Sequence, residues 1–252
     1  MKKAVIITSI IEVDKSHDLT YSTFRSFFSD DQRFNQTIET CVSLQSCFDN
    51  QTVFYIVDAS DNYEQYQDSF DFVSNLKFIS VKKHLPHVLH LVRTHPNKST
   101  CECTLMYAFF EKFKEELSQY DYFFKISGRY QVIPEHFDIK YFDTKNQFNF
   151  FFKHPHRWDW EPHWGYQMVD LRTQQGDNSL YQYSTIFYAW SFSVHDLVIG
   201  LLKEIAYLCS IYTHYDVETL LYFLTRPYSD NITHMPWLIT GRSGIDSLLT
   251  FY

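Results

Sequence analysis

Ala4-Val5-Ile6-Ile7-Thr8-Ser9-Ile10 is a nearly unbroken apolar, β-branched run close to the start of the chain. Such a run suits a central parallel strand covered on both faces, where alternation between apolar and polar residues is lost. Met1-Lys2-Lys3 before it has the charge of a secretion signal, but Glu12-Val13-Asp14 ends the apolar stretch too early. We read it as the first strand. Ser29-Asp30-Asp31-Gln32 then has the form of a capping box, and Ile38, Cys41, Val42, Leu44, Gln45 and Phe48 follow at helical spacing. This predicts a helix over 30–48. Thr52 to Val57 reads as a second strand ending at Asp58, and Phe78 to Val81 as a third. Leu85 to Val92 mixes apolar residues with histidines and receives no assignment. Leu105, Ala108, Phe109, Phe113 and Leu117 make one stripe of a helix over 100–117, and Tyr122 to Ile126 is a fourth strand. The alternation predicts an α/β fold: a mostly parallel central sheet flanked by helices.

The later chain is more aromatic. Phe148 to Phe152 reads as a strand, and Leu197 to Tyr212 and Val217 to Leu224 as helices. We find no internal repeat, linker or low-complexity stretch. The expectation is a single domain over 1–252, with a nucleotide-binding half over 1–135 and an acceptor-binding half over 136–252.

Composition narrows the function. The 252 residues carry 22 basic and 30 acidic side chains, a net of −8, so the broad basic footprint of a nucleic-acid binder is missing. With 6 glycines there is no Gly-rich phosphate loop, and no nucleophile elbow or Walker motif occurs. The five cysteines lack metal or disulfide spacing, which suits a reducing, cytoplasmic setting. No run approaches the ~20 apolar residues of a membrane span.

Open α/β sheets bind ligands beyond the carboxyl ends of their strands. The residues there are Ser9 after the first strand, Asp58 after the second, and Lys125-Ile126-Ser127-Gly128-Arg129-Tyr130 at the fourth. Lys125 and Arg129 offer charge to a diphosphate, Arg bidentately. Gly128 lets backbone approach a ligand. Arg33, a cation in a first helical turn, calls for a partner, either a ligand phosphate or an ordinary Asp, and Arg25, after the first strand, is the better ligand candidate. Asp58 and Asp61 could receive a ribose or a cation, or could simply shape a turn. Near 154–164, Trp158, Trp160 and Trp164 offer faces for sugar stacking, and Glu161 a carboxylate. His214-Tyr215-Asp216-Val217-Glu218 opens a helix. There Asp216 suits a cap and Glu218 a general base.

Taken together, the segment with Arg25, Arg33 to Thr40, Ile56 to Ser60, Phe123 to Tyr130, Asp216-Val217-Glu218 and Thr240-Gly241-Arg242-Ser243-Gly244 resembles the GT-A class of nucleotide-sugar glycosyltransferases. The likeness is greatest to small bacterial and viral enzymes of surface-polysaccharide synthesis. The resemblance implies a nucleotide-sugar donor, a glycan acceptor and transfer of a sugar. Members usually place Asp-x-Asp, a Mn²⁺ or Mg²⁺ ligand, where this chain has Lys125-Ile126-Ser127-Gly128. The departure implies that Lys125 and Arg129 replace the cation, or that Asp58 and Asp61 hold a Mn²⁺ or Mg²⁺ elsewhere, or that the fold binds without transferring; the first is favoured. Ser9, Arg25, Asp58, Lys125, Ser127, Gly128 and Arg129 are thus the expected donor ligands, with no metal ligand assigned. Glu218, then Asp216 and Glu161, are the expected bases for displacement with inversion.

Overall fold

A computed structural model describes residues 1–20, 22, 25–142, 149–157, 181–242 and 249–251. Strand β1 (Lys3–Ser9) leads to helix α1 (Asp30–Cys47), and β2 (Val53–Asp58) to the short α2 (Glu64–Gln67). After β3 (Leu76–Ser80) come α3 (Val81–His84), α4 (Pro86–Thr94), α5 (Lys98–Lys112) and α6 (Lys114–Leu117). β4 (Tyr122–Ser127) runs on to β5 (Tyr130–Val132), followed by β6 (Phe150–Lys153), β7 (His156–Arg157), β8 (Tyr181–Gln182) and β9 (Phe187–Ser191). The chain continues through α7 (His195–Ile211), α8 (Val217–Thr225), β10 (Ile232–Met235), β11 (Ile239–Arg242) and β12 (Leu249–Phe251).

Seven strands form one sheet in the order β10-β6-β9-β4-β1-β2-β3. All are parallel except β9, which runs against both β4 and β6. The expected mostly parallel α/β sheet is therefore present, with strands from both ends of the chain in one continuous layer. β11 pairs with β5 and β12 in a small second sheet, and β7 pairs with β8.

The apolar run at 4–10 is explained by its two faces. Ala4 and Ile6 join one core with α4, α5, α7 and α8. Val5 and Ile7 join the other, with Cys41 and Leu44 of α1 and Tyr130 and Val132 of β5. A strand buried on both sides has no solvent face on which to place polar residues. Ser29 caps α1 as its motif predicts: its hydroxyl accepts the Gln32 N–H at 3.2 Å, and the Gln32 side chain accepts the Ser29 N–H at 2.9 Å.

Two assignments shift. The unassigned Leu85–Val92 stretch is helix α4, with Pro86 in its first turn and Val88 and Val92 buried. The helix expected over 100–117 begins at Lys98, capped by Asn97, and is broken at Phe113.

Strands β3, β2 and β1 succeed one another on one side of the sheet, and the chain then crosses to place β4 on the other side of β1. This is a topological switch point, the place where open α/β sheets leave a crevice at their carboxyl edge. Among the described residues no helix is long and apolar enough to cross a membrane.

Candidate functional site

A cavity of about 120 Å³ opens at this switch point. Its floor is Thr8-Ser9-Ile10 from the end of β1 and Ser127-Gly128-Arg129 from the end of β4. α1 contributes Arg33 and Thr37, and α5 contributes Lys98, Cys101, Glu102 and Leu105. Arg25, from the irregular segment after β1, closes one side.

The floor is held tightly. Gly128 donates its N–H to the Thr8 carbonyl at 2.9 Å, and its own carbonyl accepts the Thr37 hydroxyl at 3.0 Å. A Cβ at Gly128 would stand 3.3 Å from both the Thr37 hydroxyl oxygen and the Thr8 carbonyl oxygen. Glycine lets the two strand ends and α1 meet here.

Four cations converge on the cavity. Arg25 is 5% exposed; one of its terminal nitrogens approaches the Cys101 sulfur at 3.3 Å, and the other, Nη1, is buried without a hydrogen-bond partner. Arg33 donates from Nε to the Ile10 carbonyl at 2.5 Å and from Nη1 to the Ser26 hydroxyl at 3.3 Å. Burial and then the nearby Arg129 charge push Arg33 down to about 9, against the opposite pull of Asp58 and Asp30. Burial, followed by the charges of Arg129, Arg33 and Arg25, pushes Lys98 down to about 7. All four line the one cavity, Arg25 and Arg33 buried and Lys98 and Arg129 half-buried, and like charges gathered in so confined a space are unfavourable unless an anion joins them.

Glu102 is the carboxylate on the cavity wall among the described residues. It is ion-paired to Lys125, which is fully buried. The Lys125 ammonium also donates to the Ser127 hydroxyl at 3.0 Å and to the Thr185 carbonyl at 2.8 Å, and lies 5.8 Å from the Tyr188 ring centre. The Thr185 hydroxyl in turn donates to Glu218 at 2.7 Å. A polar chain therefore runs from the cavity through Glu102, Lys125 and Thr185 to Glu218. Burial raises Glu218, and the neighbouring Asp216 and Glu102 charges raise it further. Asp216 is raised by burial as well.

The sequence-based expectations meet this geometry unevenly. Ser9, Arg25, Ser127, Gly128 and Arg129 line the cavity. Lys125 does not. Along β4 it shares a face with Phe123, so its side chain goes under α5 and meets Glu102 instead of the crevice. Asp58 also turns inward: it is fully buried and accepts the Ile11 N–H at 3.2 Å and the Ser60 N–H at 2.8 Å, shaping the loop after β1. Asp216 is the N-cap of α8, accepting the Thr219 N–H at 2.7 Å, while its second oxygen is buried without a partner. Glu161, Trp158, Trp160, Trp164, Ser243 and Gly244 lie outside the described residues.

Lys98 and Glu102 were missed. The available signal was the one that drew attention to Arg33, a lysine in the first turn of a buried helix, where it opposes the dipole. It is hidden because α5 begins at Lys98, two residues before the helix expected over 100–117. Among the described residues, no group of three or more His, Cys, Asp or Glu is arranged to hold a metal ion. All five cysteines are free.

No protein-family model matches the chain, and no curated protein sequence does. Among solved structures, it is similar to mouse xyloside xylosyltransferase 1 in its apo form, with a TM-score of 0.49 and 9% identity, over 93% of this chain and 85% of that one. It is similar to the galactosyltransferase LgtC in complex with donor and acceptor sugar analogues, with a TM-score of 0.46 and 11% identity, over 92% and 72% of the two chains. A third is the glycosyltransferase GlyE of Streptococcus pneumoniae TIGR4, with a TM-score of 0.47 and 10% identity, over 93% of this chain and 45% of that one. The α/β fold of this chain stands on its own strand order and register.

Proposed function

We propose that the chain is a glycosyltransferase that moves a sugar from a nucleotide-sugar donor to a hydroxyl of a glycan acceptor. The observation that carries this reading is the convergence of Arg25, Arg33, Lys98 and Arg129 on one cavity at the switch point. Bringing four cations together is costly, and an anion of high charge density, such as a diphosphate, relieves the cost. During transfer the bond from the anomeric carbon to the phosphate oxygen breaks, and charge builds on the departing nucleotide. Fixed cations stabilise that charge as a bound metal would. The reading is therefore of metal-independent transfer, with Arg129 and Lys98 in the place first given to Arg129 and Lys125.

Glu218, which does not line the cavity and stands at the far end of the polar chain from Glu102, is the proposed base for an acceptor bound on that side. It takes the proton of the acceptor hydroxyl as the acceptor oxygen attacks the anomeric carbon, giving inversion. Burial keeps its proton affinity high, which suits a base working near neutral pH. The motif resemblance supports a setting in surface-polysaccharide synthesis.

The test is release of nucleoside diphosphate from UDP-sugars and GDP-sugars by the purified protein, with and without EDTA. Turnover that persists in EDTA is the expected result. Tight donor binding with no turnover would favour a non-catalytic carbohydrate- or nucleotide-binding protein of the same fold. Absence of any nucleotide binding would end the reading.

A further inference from the structure

We infer that Glu102 is the side chain that reads the donor's sugar, by accepting hydrogen bonds from its hydroxyls, and that the donor sugar is therefore uncharged. The inference rests on the proposed transfer reaction and deepens it.

Three observations carry it. The first is position. Lys98 and Glu102 are four residues apart on α5, so they share one helix face, about one turn or ~6 Å apart along the axis. Both line the cavity. A sugar is joined directly to the outer phosphate of its donor. With that phosphate among Lys98, Arg25, Arg33 and Arg129, the ring lies one step along the same wall, where Glu102 is.

The second is preorganisation. Glu102 does not float in the cavity mouth, because its carboxylate is tied to the ammonium of a lysine with no exposed surface. That lysine is itself fixed by the Ser127 hydroxyl and the Thr185 carbonyl. The ion pair leaves Glu102 with further lone pairs, and an ionised carboxylate has about four such sites and only accepts. Lys125 is thus a positioning residue, acting on the sugar through Glu102.

The third is the kind of group on offer. Among the described lining residues Glu102 is the one carboxylate, beside four cations, several hydroxyls and apolar side chains. Lys125 matches its charge, so what it presents to the ring is acceptor oxygens. Ring hydroxyls can donate to these, whereas an ionised sugar carboxylate has no proton to donate and would set oxygen against oxygen, which is how a site rejects a near relative of its ligand.

The test is calorimetric binding of UDP, GDP, UDP-glucose, GDP-mannose and UDP-glucuronate to the full chain. Wild-type protein should bind a hexose donor more tightly than UDP-glucuronate. Glu102→Gln should weaken the hexose donor about tenfold while leaving the matching nucleoside diphosphate within about twofold. Because that change leaves Lys125 buried and unpaired, the double variant Glu102→Gln with Lys125→Met supplies a neutral control, and it should show the same selective loss. Equal losses for the diphosphate and its sugar conjugate, no loss for either, or equal affinity for UDP-glucuronate and UDP-glucose would overturn the role of Glu102. If the wild type binds none of the five, the transfer reading itself fails first.

Discussion

Lys98 has the most sharply testable chemistry. Its folded value of about 7 lies below the ordinary 10.5 of a lysine, because burial and three nearby arginines disfavour its charge. Between those two pH values the unfolded chain holds a proton that the folded chain does not, so folding stability rises with pH across this window. Below pH 7 both states are protonated and the destabilisation is fully present. Lys98→Met should therefore flatten the rise in melting temperature between pH 7 and 10, and should raise stability at pH 6. Binding has the opposite slope. A diphosphate needs the charged lysine, so affinity for UDP or GDP should fall as pH climbs above 7 in the wild type, and Lys98→Met should be weaker and nearly flat. An unchanged slope in the variant would remove Lys98 from the phosphate site. Glu218 allows a separate test: Glu218→Gln should lose about 10²–10⁴ in kcat with donor affinity preserved. Full turnover by that variant would remove Glu218 as the base.

Arg129 depends on secondary structure that lies beyond it. It precedes β5, whose Tyr130 is paired with Gly241 of β11. A side chain at Gly241 would overlap the Tyr130 ring and come within 2.7 Å of the Arg129 carbonyl oxygen. Gly241→Ala should cost about 1–3 kcal/mol in urea unfolding, as overpacking does, and should weaken nucleotide binding by moving Arg129. If stability falls but binding is unchanged, the β5–β11 pair is scaffold alone. Next to Lys98, Asn97 ties the start of α5 to the connection that leads into α8. Its side-chain oxygen accepts the Ser99 and Thr100 N–H groups, and its amide donates to the Thr213 and Tyr215 carbonyls at 2.9 and 2.8 Å. This stitch sets the start of α5, with Lys98 and Glu102, beside the start of α8, with Asp216 and Glu218.

Over the chain as a whole, the net charge of −8 says nothing of the cavity, where four positive groups meet. Filling that cavity should stabilise the entire fold. A nucleoside diphosphate at 100 times its dissociation constant contributes about 2.7 kcal/mol, or roughly 5 to 10 °C in melting temperature for a chain of this size. The shift should survive EDTA and shrink as salt is raised, since screening weakens the attraction. A shift that requires added Mn²⁺ or Mg²⁺ would contradict cation replacement by side chains.

Local pattern was enough for most of the scaffold. The doubly buried run at 4–10, the capping box at Ser29 and the stripe of α5 each report on a neighbourhood of a few residues, and each appears in the fold as an element of nearly the expected extent. Because strand ends in such a sheet share one edge, Ser9 and Ser127-Gly128-Arg129 could also be placed together, and they line one cavity. What local pattern could not supply was the direction of a side chain at a crowded edge. Whether Lys125 faces the crevice or α5 depends on the strand's alternation and on Glu102, which approaches from a helix preceding it in the chain. Whether Asp58 meets ligand or loop depends on the Ile11 and Ser60 amides. The pocket's charge is likewise a product of packing, since Arg25, Arg33, Lys98 and Arg129 come from four separate segments that meet only when α1, α5 and the end of β4 pack around the end of β1.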